Sequence, residues 1–189
     1  AIGSTAPGWA TISLTAGQWY WETTYTTLPD AGYVMASGIA TSTWALTAST
    51  SMGFSDPIID QAGPRQTDGN CYAKSALTGT VGAVAAGNVI SHWYDADSGT
   101  YQVRKNGGAW QNLGRRPSLS DDGWFPAVQL ARNAACTANF GASAFVYAVP
   151  NGVNAGVYSQ ADPVETTVYL GSEGFNTGSS DTPASTHYA

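Results

Sequence analysis

The chain has 189 residues, enough for one sizeable hydrophobic core. Its 13 acidic and 7 basic residues leave a net charge of −6, and the basic ones are scattered, with only the pairs Arg104–Lys105 and Arg115–Arg116 adjacent. The clustered cationic footprint that a phosphate backbone requires is missing, which excludes nucleic acid as a partner. The longest apolar runs, such as VGAVAAG at 81–87, fall far short of the roughly 20 residues that span a bilayer, so no membrane insertion is expected.

In chain order the expected strands are WATISL (9–14), WYWETTYT (19–26), YVMASGIA (33–40), NVISHWYD (88–95), TYQVRKN (100–106), WFPAVQL (124–130), CTANF (136–140) and AFVYAV (144–149). Each is short, rich in β-branched and aromatic residues, and bounded by turn formers. No window keeps helical spacing over three turns, so closely spaced strands without crossover helices predict an antiparallel all-β sandwich. Residues 41–70 read as a long polar insertion, and residues 153–189 as a Gly/Ser/Thr-rich tail with one strand-like piece at 166–170, leaving a domain over 1–152.

Within WYWETTY, alternation puts Trp19, Trp21, Thr23 and Tyr25 on one face and Tyr20, Glu22 and Thr24 on the other. The first face is expected to be core, and only Tyr20 is left as a ligand platform. Glu22 is expected to be a sheet-face carboxylate held by a cross-strand hydroxyl or Arg. Asp95, Asp97, Ser98 and Gly99 form a turn, and Asn106-Gly107 supplies the positive φ of a second hairpin. A calcium loop would need Gly at the sixth position and Glu at the twelfth from Asp95, where Thr100 and Asn106 stand, so no metal is expected. Cys71 and Cys136 can close a disulfide or stay reduced as small apolar groups.

The order and spacing of GQWYWETTY, AGNVISHWYDADSGTYQVRKNG, FPAVQL and TANFGASAFVYAVPNG resemble the SPRY domain, the core of B30.2 modules, over about residues 9–152. The resemblance implies a concanavalin-like bent β sandwich of the SPRY-like jelly-roll kind, which binds partners through loops at one edge of the sheets without catalysis or cofactor. It also implies that Asn139, Phe140 and Gly141 close the core, with Asp95 as a turn former. The sequence departs from that pattern at Ser91 and His92, where a Gly and an apolar residue usually stand, and an inward His92 must find a hydrogen-bond partner. The small-residue-rich style and the tail are similar to SPRY-like domains of bacteriophage and prophage virion proteins.

Enzymatic readings find little support. Glycoside hydrolysis needs two carboxylates across a cleft, and Glu22 is the only glutamate before residue 165. There is no Gly-x-Ser-x-Gly elbow, and Cys71 has no activating basic neighbour beyond Lys74. The expected function is therefore a non-enzymatic recognition or structural module of a phage-like virion (tail, fibre or capsid-associated) or extracellular protein. Its partner would be a virion subunit, a host receptor or a cell-surface glycan, with homo-oligomers or larger assemblies allowed. The alternative is a carbohydrate-binding or glycoside hydrolase-like lectin domain of a secreted bacterial protein. Loop aromatics and arginines are the expected anchors: Trp44, Met52, Phe54, Asp56 and Arg65 in the insertion, Tyr72 after it, and Trp110, Arg115 and Arg116 later. Each can instead plug its own loop.

Overall fold

A computed structural model describes residues 5–30, 35–41, 61–65, 67–73, 76–115 and 123–157. Among them the fold is an all-β sandwich with no helix. One sheet orders β1 (Thr5–Trp9), β10 (Phe125–Ala131), β3 (Ala36–Ala40), β4 (Gln61–Pro64), β5 (Asn70–Ala73) and β6 (Ala76–Thr80). The other orders β11 (Ala135–Asn139), β2 (Gln18–Thr27), β7 (Val89–Asp95), β8 (Thr100–Lys105) and β9 (Gln111–Arg115). All of these pairings are antiparallel, and β12 (Asn154–Ala155) adds a two-residue parallel pairing to β2.

Alternation sets the core. Trp21 and Tyr25 of β2, Ile90 and Tyr94 of β7, and Tyr101 and Val103 of β8 point between the sheets with Leu14, Met35, Ile39 and Trp124, all nearly inaccessible. Each such side chain contributes about 2–3 kcal/mol by leaving water. Trp19 packs only partly against this cluster.

His92 shares the inward face, 0% exposed. Its ring lies parallel to Trp21 (centroids 4.9 Å apart) and to Tyr101 (6.2 Å), and Nδ1 is 2.8 Å from the Tyr101 hydroxyl. Nε2 has no partner. The expected partner is present for one ring nitrogen and absent for the other, and burial pushes the imidazole pKa down to about 3.

Several sequence expectations need correction. The first strand lies at Thr5–Trp9, not 9–14, where Leu14 makes only an isolated bridge to Trp124. Pro7 and Gly8 argue against a strand there, but β1 is an edge, where a missing N–H costs little. The distal part of the insertion contains β4 and the start of β5, whose small and polar residues carry no strand signature. Residues 144–149 form no strand, and 154–157, expected in the tail, belong to the sandwich: Val157 is fully buried and donates to the Phe140 carbonyl. The strand expected at 166–170 lies outside the described residues.

Cys71 and Cys136 are free and buried, so the disulfide alternative is corrected. They sit on different sheets, and packed sheets stand about 10 Å apart, beyond disulfide reach at most facing positions. Burial pushes both thiols up to about 12, which leaves them unreactive.

The turns follow their expected chemistry. Asn106 and Gly107 have φ of 49° and 70°, Asp95 Oδ1 accepts the amides of Asp97 and Ser98, and Asn139 Oδ1 accepts the amide of Gly141. Gly69 is held more tightly: its φ is +68°, and an added Cβ would stand 2.0 Å from the Gly82 carbonyl oxygen. Gly69→Ala is therefore expected to cost about 3 kcal/mol or more and to lower the melting temperature by roughly 6–12 °C, read by calorimetry. A change under about 2 °C would contradict this packing.

Candidate functional site

The outer face of the β2-β7-β8 sheet carries the chemistry. Because Trp21, His92 and Val103 are Cα partners pointing inward, the next row, Glu22, Ser91 and Arg104, points outward, as does the row Tyr20, Trp93 and Gln102. The same alternation applied to VISHWYD and TYQVRK would have found Trp93 and Arg104, which loop-based reasoning missed.

Residues 145–148 lie across this face as a strap. Glu22, 1% exposed, accepts from the Tyr20 hydroxyl (2.6 Å) and the backbone amides of Val146 (2.8 Å) and Tyr147 (2.9 Å). Its partners are therefore Tyr20 and strap amides, not the expected cross-strand hydroxyl or Arg. Arg104 Nη2 donates to the Ala148 carbonyl at 2.6 Å, and the Tyr147 ring stands over Gly107 of the β8–β9 turn. Tyr20, the remaining platform candidate, is 0% exposed, with Phe145 edge-on at 4.8 Å and Trp110 at 6.5 Å. That burial, with the Glu22 acceptor beside it, pushes the phenol up to about 12, so it remains a donor.

Trp110 is half-buried beside the strap. The Arg104 guanidinium lies 4.4 Å over its ring, and Trp93 meets it edge-on at 5.7 Å. Two buried polar atoms on this face, Trp93 Nε1 and Arg104 Nε, have no hydrogen-bond partner among the described residues. Leaving such groups unpaired costs on the order of 1–3 kcal/mol each.

Of the sequence candidates, Trp110 falls in this cluster. Arg65 and Tyr72 form another, at the β4–β5 turn: the Arg65 guanidinium is 5.3 Å over the Tyr72 ring and grips both oxygens of Asp68, which also accepts from the Asn70 backbone and side chain. Arg65 holds the Asp68 carboxyl below the usual carboxylate range. This Arg is engaged in holding a turn. Trp44, Met52, Phe54, Asp56 and Arg116 lie outside the described residues, as does the Arg115 side chain. No group of His, Cys, Asp and Glu among the described residues is arranged to hold a metal.

No protein-family model and no curated protein matches the chain. Among solved structures, the SPRY domain of human HERC1 is similar, with a TM-score of 0.57 over 72% of this chain and 82% of that one, at 17% sequence identity. The chain has a SPRY-like β-sandwich fold.

Proposed function

We propose that the chain is a non-catalytic recognition module that binds a protein partner through the outer face of β7 and β8, in a phage-like virion. The observation that carries this is the half-buried Trp93–Trp110–Arg104 cluster, in which Trp93 Nε1 and Arg104 Nε find no acceptor among the described residues. Trp and Arg are the side chains that dominate binding hot spots, and here they are mounted on strands, not on a loose loop. A protein partner is favoured over a glycan because a sugar stacks on a free indole face, and one face of Trp110 already carries a guanidinium. The likeness to a SPRY domain agrees with an interaction role, and the virion setting is supported by the small-residue-rich sequence style and tail. The partner would then be a neighbouring virion subunit or a host-surface protein.

Peptides selected from a random display library against the full chain, alongside a glycan array, test the reading. Selected binders should lose at least about 30-fold in affinity with Trp110→Ala, about 2 kcal/mol, while the variant still melts cooperatively. Array glycans that bind equally well with and without Trp110, and no peptide that depends on it, would refute it.

A further inference from the structure

Many protein segments could meet this face, and the chemistry of the site selects among them. We infer, resting on the recognition role just proposed, that the Arg104–Trp93–Trp110 cluster docks a carboxylate side chain carried on an extended peptide segment. Among the described residues Arg104 has no counter-ion within ion-pair distance, the ion pair found there being Arg65 with Asp68, elsewhere. Two carboxylates share its face, and both are engaged. Glu22 accepts from Tyr20 and the strap amides, and Asp95 Oδ1 accepts from the amides of its own turn.

The guanidinium spends Nη2 on Ala148 O and keeps Nε unpaired, while Trp93 Nε1 is unpaired against the same Trp110 ring. A carboxylate brings two acceptor oxygens and the missing charge. A main-chain carbonyl brings one oxygen and no charge, and a basic segment is repelled. Trp110 packs against both groups, edge-on to Trp93 at 5.7 Å and 4.4 Å under the Arg104 guanidinium, so a carboxylate would dock beside its ring.

The test uses the full 15N-labelled chain and two blocked peptides, acetyl-Gly-Glu-Tyr-Glu-Gly-amide and its Gln counterpart, followed at the Trp93 indole N–H resonance. The Glu peptide should shift that resonance saturably and bind at least tenfold more tightly than the Gln peptide. Arg104→Gln should erase the difference. Trp93→Phe, which keeps an aromatic ring and removes the N–H, should weaken Glu-peptide binding severalfold in a protein of unchanged melting temperature. Equal binding of both peptides, or no shift with either, overturns the inference. If library selection yields Trp110-dependent binders without acidic residues, the inference fails while recognition through this face stands.

Discussion

Lowering the pH from 7 to 4 is expected to remove roughly 3 kcal/mol of folding stability through His92 alone, and His92→Leu is expected to abolish that share. The ring is 0% exposed and its pKa is pushed from the ordinary 6.5 down to about 3 by burial. The unfolded chain therefore binds a proton that the native state refuses throughout that window. The contribution is complete above about pH 6.5, falls as the pH drops, and levels off below about pH 3, where the loss approaches about 5 kcal/mol. Carboxylates such as Asp68, held below their usual range by Arg65, add their own acid sensitivity, so the quantity to measure is the difference between parent and variant. Urea titrations at several pH values give it directly. Parallel stability curves for the two proteins across pH 4–7 would mean that His92 is not buried neutral.

Glu22→Ala is expected to cost about 3–5 kcal/mol, or roughly 6–20 °C in melting temperature, and to release the strap. Three donors lose their acceptor, two of them the backbone amides of Val146 and Tyr147, and the carboxylate they share is 1% exposed. Glu22→Gln keeps one acceptor oxygen but turns an amide toward an N–H donor, so an intermediate loss is expected. Amide exchange separates local from global effects: in Glu22→Gln the protection of Val146 and Tyr147 should fall more than that of Ile90 or Val103 in the core. Unchanged protection at 146 and 147 would contradict the assignment.

The strands legible in the sequence were β2, β7 and β8, whose side chains alternate between a large apolar face and a more polar one, together with β3 and β10, which are buried nearly throughout, and the shorter β11. β4 and β5 were not legible because QAGP and NCYA contain almost no β-branched or large apolar residues, and β6 because ALTGT is short and exposed along most of its length, with no apolar face to mark it. The strap misled in the opposite direction. Phe145, Val146 and Tyr147 look like a strand, but the amides of Val146 and Tyr147 go to a carboxylate 124 and 125 residues away, a contact that no local pattern encodes. In the candidate site Trp110 was legible as a loop aromatic, whereas Arg104 and Trp93 were hidden in strands read only for their core-facing residues. Ser91 and His92 stood out as departures from the SPRY pattern, and both proved to be fully buried with an unpaired polar atom.

The tight seat of Tyr147 over Gly107 limits how this surface can evolve. A methyl group at Gly107 would stand 2.6 Å from that ring, so the hairpin bearing Trp110 cannot lose this glycine without dislodging the Tyr147 ring. Changes of side chain at neighbouring positions such as Gln102, Ala109 and Asn112 leave that contact intact and are the simplest route to new binding preferences.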